Sequence, residues 1–152
     1  YGDLLTVAPF GNVLATADLT GAQIVRLLEQ QWEAPNCSAK TGVNGCGRML
    51  QPSSTFSYTW DASKPAGAAD GTGNRVVAGS LKLNGVAMDM AKTYRITFNS
   101  FMAPGPGDNF SVVTRNGTSI TNSGVIDIDA FVGYMKAHPK LAPPAARITR
   151  LN

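Results

Sequence analysis

Histidine and cysteine are the scarcest reactive residues of this 152-residue chain, which has one histidine and two cysteines. A hydrolytic centre with two bridged metal ions needs a cluster of His, Asp and Asn ligands. One histidine cannot supply such a cluster, and no Ser-His-Asp or Cys-His pattern supports nucleophilic catalysis. His138 precedes Pro139 at the polar end of a predicted helix, where a surface or C-terminal capping residue is expected. The chain by itself is therefore predicted to contain no catalytic residue and no metal site.

Charged residues are also sparse, at 15% of the chain, and they include no run of lysine or arginine. Because nucleic-acid surfaces need clustered basic residues, no nucleic-acid partner is expected. The net charge of +3 suits a small anionic ligand. No stretch approaches the roughly 20 apolar residues of a membrane span, so none is predicted. The length is that of one domain with a substantial core, and residues 1–152 are interpreted as a single domain.

The two cysteines, Cys37 and Cys46, lie in a segment rich in glycine, asparagine and serine. With one histidine in the chain, a zinc site is not expected. The pair is instead predicted to form a disulfide, which would stabilise a loop this short by roughly 2–3 kcal/mol in the chain-entropy model. Such a bond implies an oxidising compartment. The alternative is a pair of exposed free thiols.

Local patterns predict two main helices among about seven strands. Thr20 and Gln23 form a capping-box pattern at the start of the first helix, whose apolar face reaches Trp32 and which is predicted to end at Pro35. Asp127 is predicted to cap the second helix. Because helices and strands do not alternate strictly, the predicted fold class is α+β with mixed β-sheets. Strands are predicted at residues 4–7, 13–18, 56–60, 75–83, 88–90, 93–98 and 147–151, with a hairpin turn at 84–85.

The loop that follows the 93–98 strand contains the residues best suited to a ligand. Phe101 offers a flat apolar face, and the Asp108 carboxylate can accept two hydroxyl hydrogen bonds. Gly105 and Gly107 between them permit tight turns and close backbone approach. A stacking face beside an acid that binds hydroxyls suits a nucleoside. The structural alternative is a glycine-rich connection with a core phenylalanine and a turn aspartate.

Several short motifs occur in a definite order along the chain, from Pro9-Phe10-Gly11-Asn12 onward. In this order and spacing the sequence resembles the C-terminal domain of the 5'-nucleotidase, 2',3'-cyclic phosphodiesterase and UDP-sugar hydrolase family. The resemblance covers nearly the whole chain. It implies a two-domain extracytoplasmic hydrolase whose C-terminal domain carries the nucleoside pocket. The motifs are residues 9–21, 50–53, 56–61, 83–86, 92–95, 99–110 and 124–129.

The resemblance assigns roles to the loop residues. Phe101 matches one of two aromatic residues that sandwich the base, and Asp108 matches the acid that binds the ribose hydroxyls. Gly105 and Gly107 would let the backbone approach the ligand. The family usually has Gly-Gly-Asp-Gly here, whereas this chain has a one-residue insertion and Asn109 in place of the last glycine. Since asparagine tolerates the left-handed backbone conformation, the turn is expected to survive.

The second stacking position falls at Met49, which offers a weaker platform than phenylalanine through its polarizable sulfur. Gln51 could bind a base edge. Phe56 could alternatively turn into the site, although its alternation with Tyr58 and Trp60 favours a core position.

The family's phosphate-binding arginines lie in an Asn-x-Gly-Gly-x-Arg segment that this sequence does not contain. Arg48, Arg75 and Arg95 lack that motif and are assigned no ligand role. The chain is therefore expected to be a fragment without its N-terminal segment and without the upstream metallophosphoesterase domain. By resemblance, that domain would carry a pair of divalent metal ions, while this chain would hold no cofactor.

The expected function is nucleoside or nucleotide recognition within a secreted, periplasmic or cell-envelope phosphoester hydrolase. The partners would be a nucleotide or nucleoside and the N-terminal domain of the same protein, and the chain alone would be inactive. The main alternative is a non-catalytic adhesion or interaction module with a degenerate pocket, which Met49 and the altered glycine loop favour. An unrelated carbohydrate-binding β-rich domain would require the ordered motifs to be coincidental.

Overall fold

The computed structural model describes residues 2–37, 49–102 and 109–152. Within these ranges the chain forms four helices and seven strands, and the predicted α+β class with two main helices is confirmed, the longest being α2 and α4 below. In chain order the elements are α1 (Gly2–Val7), β1 (Val13–Thr20), α2 (Gly21–Glu29), β2 (Phe56–Asp61), β3 (Lys82–Leu83), β4 (Val86–Ala87), β5 (Thr93–Asn99), α3 (Ser111–Asn116), β6 (Thr118–Ile126), α4 (Asp127–Ala137) and β7 (Ile148–Leu151).

The strands form two sheets. The first has the order β5-β1-β6 and is antiparallel throughout, while the second has the order β4-β3-β2-β7 and pairs β2 with β7 in parallel. In the first sheet Leu14 lies opposite Asn99 and Thr20 lies opposite Thr93. The last residue of β5 therefore lies beside the start of β1, which fixes where the loop after β5 leaves the sheet.

The core lies between the first sheet, α2 and the aromatic strand β2. Alternate residues of β1 point inward, as the two-residue period of a strand requires, so Ala15, Ala17 and Leu19 are buried. Each large apolar side chain buried in this way contributes about 1.5–3 kcal/mol. Helix α2 covers them with its apolar face, and the rest of the buried apolar set comes from Ile24, Leu27, Leu28, Trp32, Tyr58, Val76, Leu81, Phe98, Phe110, Val112 and Val113.

The start of α2 has the predicted capping box. The backbone N–H of Gln23 donates to Thr20 Oγ1 at 3.2 Å, and the backbone N–H of Thr20 donates to Gln23 Oε1 at 2.8 Å. The predicted end at Pro35 is wrong, because the helix ends at Glu29. The residues after it turn away since their buried polar side chains bind other loops, as described below.

Residues 4–7 form part of α1 and not the predicted strand. The backbone N–H of Ala8 donates to the Leu4 carbonyl at 2.9 Å, a helical bond, and α1 packs against α4. A short apolar run is compatible with a helix or with a strand. Here the contact with α4 favours the helix. Asp127 does not cap α4 as predicted, since Ile126 takes the capping position and Asp127 Oδ2 accepts instead from the side-chain amide of Asn12 at 3.3 Å.

The predicted strand at 75–83 is mostly wrong, because β3 covers Lys82–Leu83 alone and the return strand is Val86–Ala87, not 88–90. The turn between them is confirmed, with φ of 53° at Asn84 and 78° at Gly85. Positive φ at both central residues matches the twist of a two-residue hairpin. Helix α3 and strand β6 were not predicted. Strand β6 gives no strand pattern, because it is mostly polar, is exposed throughout and lacks alternation.

The last residue of α2, Glu29, and the segment directly after it, residues 30–33, together carry four buried polar side chains. Glu29 is 2% exposed and accepts from the backbone N–H of Arg75 at 3.0 Å and of Val76 at 2.6 Å. Burial raises the pKa of Glu29, and the two backbone donors oppose that rise. Glu33 is 1% exposed and accepts from the N–H groups of Gly71 and Gly73. These bonds explain why residues 75 and 76 leave the predicted strand.

Replacing Glu29 with alanine should destabilise the fold. Two buried backbone N–H groups would lose their acceptor, so we expect the free energy of unfolding to fall by about 2–4 kcal/mol. Urea unfolding followed by tryptophan fluorescence measures the change. Lys136→Ala, on the exposed side of α4, is the control and should stay within about 0.5 kcal/mol of the wild type. Equal stability of the Glu29→Ala variant and the control would contradict this account.

Candidate functional site

Phe101 lies in a turn that is tied firmly to the first sheet. The backbone N–H of Ser100 donates to the Val13 carbonyl at 2.7 Å, and the Val13 N–H donates to Ser100 Oγ at 3.1 Å. The Asn99 side chain then accepts from the N–H groups of Phe101 and Met102. The backbone on which Phe101 stands is therefore fixed, while its side chain is 52% exposed and is not part of the core.

A cavity of about 400 Å³ lies between α2, β5 and residues 50–56. Small-molecule pockets typically span 300–1,000 Å³ and combine apolar walls with a few polar groups. Apolar side chains that belong to the core or pack against it form most of the wall of this cavity, and its polar lining comes from Gln51, Ser53, Thr55, Tyr94, Arg95 and Thr97. Residues from α2, the 50–56 segment, β3, β5 and the turns after β4 and β5 line it, among them Leu50, Gln51, Phe56, Ile96, Phe98 and Met102.

The structure brings two of the predicted site segments to this cavity. Gln51 and Met102 line it, whereas Phe101, the chain neighbour of Met102, is not among the described residues that line it. Met49 packs against the core while partly buried, and it is not among the described residues that line the cavity. Phe56 packs against the core, the position that its alternation favours, and it also lines the cavity. Gly105, Gly107 and Asp108 lie outside the described residues, and their roles stay predictions.

The residue after Asp108 has the backbone conformation that was expected of it. Asn109 has a φ of 54°, in the left-handed region that asparagine tolerates. Its side-chain amide donates to Asn36 Oδ1 at 3.4 Å. The next residue, Phe110, is buried in the core. The C-terminal end of the glycine-rich loop is thus fixed to the domain.

Two glutamines that the sequence patterns did not predict each hold another segment, and the segment held by Gln31 lines the cavity. Gln31 Oε1 accepts from the Leu50 N–H at 2.6 Å, and Gln30 Oε1 accepts from the Val112 N–H at 3.1 Å. Both side chains are at least 97% buried. Two glutamines after an amphipathic helix are typical of a solvent-facing end, so no sequence pattern distinguishes these. Arg147 adds a third tie, donating to the Pro52 carbonyl.

With this geometry in place, the family can be assigned. The model of the family described as "5'-nucleotidase, C-terminal domain" matches residues 1–115. The chain belongs to this family. A 5'-nucleotidase-related protein of Glossina morsitans morsitans is 34% identical over 159 residues, covering 100% of this chain and 26% of that protein. The trifunctional nucleotide phosphoesterase YfkN of Bacillus subtilis is 34% identical over 139 residues, covering 89% of this chain and 8% of its own length.

A solved structure agrees. The 5'-nucleotidase precursor from Thermus thermophilus is 32% identical, with a TM-score of 0.72 over 99% of this chain and 27% of that one. The match confirms the resemblance to 5'-nucleotidase C-terminal domains and their fold. This chain therefore spans about a quarter or less of the length of each of these three relatives.

Two arginines of this 5'-nucleotidase C-terminal domain are engaged in structural contacts. Arg75 donates to the carbonyls of Lys64 and Ala62, and its guanidinium lies 5.2 Å from the ring centre of Trp60. Arg95, an exposed residue of β5, pairs with Asp18 of β1 at 3.0 Å. Arg48, the third arginine considered, lies outside the described residues.

The remaining reactive residues of the nucleotidase domain form no metal site among the residues that the structure describes. His138 takes the C-cap position of α4, as predicted, and stacks on Tyr134 at 4.2 Å between ring centres. In the ranges that the structure describes, no group of three His, Cys, Asp or Glu residues could hold a metal ion. Within the same ranges, no helix is long and apolar enough to cross a membrane. Cys37 is buried, and Cys46 lies outside the described residues, so the disulfide stays a prediction.

Asn109 gives a test of the loop's closing turn. Asn109→Gly should keep or slightly improve stability, because glycine adopts positive φ without strain. Asn109→Val should lower the free energy of unfolding by about 1–2 kcal/mol, since a branched side chain resists this backbone. Thermal unfolding followed by circular dichroism compares the two. A valine variant as stable as the glycine variant would show that the turn does not need the left-handed conformation.

Proposed function

We propose that this domain recognises a nucleoside or nucleotide for a 5'-nucleotidase-like phosphoester hydrolase. In this proposal Phe101 stacks on the base and Asp108 binds the ribose hydroxyls. Gly105 and Gly107 let the backbone approach the ligand. The observation that carries the proposal is that Gln51 and Met102, the chain neighbour of Phe101, line one cavity in a chain of this family.

The geometry suits a ring with a polar edge. Phe101 has an exposed aromatic face and is the chain neighbour of Met102, which lines the cavity. Stacking on such a face contributes about 1–3 kcal/mol per base. Gln51 can donate and accept at a base edge, because its carboxamide carries both kinds of group. Met49 would add a weaker contact through its sulfur. Specificity would then come from few polar groups, and affinity from stacking and apolar burial.

The chemistry would take place elsewhere in the parent protein. A pair of divalent metal ions on an N-terminal metallophosphoesterase domain would activate water, and this domain would hold the base and ribose so that the phosphoester meets the metals. Binding energy used for positioning in this way lowers the barrier of the chemical step. An extracytoplasmic location, secreted, periplasmic or in the cell envelope, fits the predicted disulfide between Cys37 and Cys46.

A second candidate is a non-catalytic interaction module that keeps the fold with a degenerate pocket. Met49 favours it, because this residue stands at the position of the second stacking aromatic and packs partly against the core. The two candidates differ upstream. An enzyme parent requires metal-binding motifs rich in His, Asp and Asn before this domain, whereas an interaction module does not.

Calorimetric titration of the chain with adenosine and with AMP tests the proposal. We expect weak but saturable binding, and Phe101→Ala should weaken it by about tenfold to a hundredfold, as loss of one stacked face predicts. Asp108→Ala should weaken adenosine binding through lost ribose contacts. The control is Tyr134→Ala, because Tyr134 is also 52% exposed and lies on α4. Absence of binding by the wild type, or equal binding by the Phe101→Ala and Tyr134→Ala variants, would overturn the proposal.

A further inference from the structure

We propose that Gln30 and Gln31 are positioning residues that set the geometry of the nucleoside site. Adjacent in the chain, they bind two segments that lie far apart in the sequence, residues 49–53 and residues 109–112. The inference rests on the proposed function, which assigns to the ligand Gln51, in the first segment, and Asp108, the residue directly before the second. It adds a role that the sequence gives no sign of, since neither glutamine lies in a motif.

Gln31 orients the segment that contains Gln51. Its Oε1 accepts from the Leu50 N–H at 2.6 Å, while its Nε2 donates to the Leu28 carbonyl at 2.8 Å and lies 3.4 Å from the Tyr58 hydroxyl. The side chain is 1% exposed. A flipped carboxamide would set its NH₂ against the Leu50 N–H, so a single orientation satisfies all its partners. The backbone next to Gln51 is therefore tied to the end of α2.

Gln30 orients the segment that closes the glycine-rich loop. Its Oε1 accepts from the Val112 N–H at 3.1 Å, and its Nε2 donates to Ser111 Oγ at 2.8 Å and to Asp70 Oδ1 at 3.1 Å. Its backbone carbonyl accepts from the side-chain amide of Asn36 at 3.1 Å. Asn36 in turn accepts from Asn109. One residue thus fixes both Asn109 and the start of α3.

The two ties act together because both glutamines stand on one rigid turn. Neither the 49–53 segment nor the 109–112 segment can shift without breaking a buried hydrogen bond, and we expect such a shift to be rare because each group left unpaired is costly. For a ligand that contacts both segments, binding costs little conformational entropy, because the two segments are already ordered. A structural role alone would affect stability, whereas a positioning role also affects affinity.

Binding and hydrogen exchange on the same variants separate these roles. Gln31→Met and Gln30→Met keep the side-chain length and remove the carboxamide. Thr20→Ala removes the capping box at the other end of α2 and is the stability control, with an expected small loss of stability. Ser111→Ala removes one acceptor of Gln30 at a partly exposed site, and it serves as a milder variant if a methionine variant fails to fold.

We expect the adenosine dissociation constant to rise about tenfold in each methionine variant and about threefold in Ser111→Ala, with no change in Thr20→Ala. Without ligand, amide exchange should accelerate at Leu50 in Gln31→Met and at Val112 in Gln30→Met. Unchanged affinity in the methionine variants, alongside reduced stability, would overturn the positioning role. If the wild type binds no adenosine, the proposed function fails, and the exchange rates still decide whether the glutamines anchor the two segments.

Discussion

Four buried polar side chains at the end of α2, from Glu29, Gln30, Gln31 and Glu33, hold together the loops of this domain. Burying such groups is costly unless each finds hydrogen-bond partners. Their partners are mostly backbone N–H groups of other loops, which also need acceptors once buried. The buried side chains therefore need donors and the buried backbone N–H groups need acceptors, and one arrangement of the loops supplies both. The hydrogen bonds at this helix end hold the loops together, which a larger apolar core would otherwise do.

The candidate site follows from that arrangement. The glutamines set the 49–53 and 109–112 segments, while hydrogen bonds between Ser100 and Val13 set the turn before Phe101. An apolar cavity lies between α2, β5 and the 50–56 segment, with Gln51 and Met102 in its wall. Rigid positioning of a few polar groups around an apolar space is what recognition of a flat ring requires. In the proposed function the domain supplies affinity and orientation for a nucleoside, and the catalytic groups lie elsewhere in the parent protein.

Local patterns predicted the parts of the fold that depend on local chemistry. The capping box at Thr20, the aromatic strand β2, the hairpin at Asn84 and the left-handed Asn109 all depend on nearby residues, and all are confirmed. Elements decided by distant contacts were missed or wrong. Residues 4–7 are helical beside α4, and β6 has no alternation because it is exposed throughout. Gln30 and Gln31 were missed because burial at a helix end leaves no mark in the sequence.

Two segments held by one turn form a single ligand site in this account. Nuclear magnetic resonance of the ¹⁵N-labelled chain during titration with adenosine tests that claim most directly. The account predicts that the amide signals of Gln51, Met102 and Asn109 shift together and saturate with one dissociation constant. Shifts confined to one of these segments, or located on the exposed face of the β5-β1-β6 sheet, would contradict it.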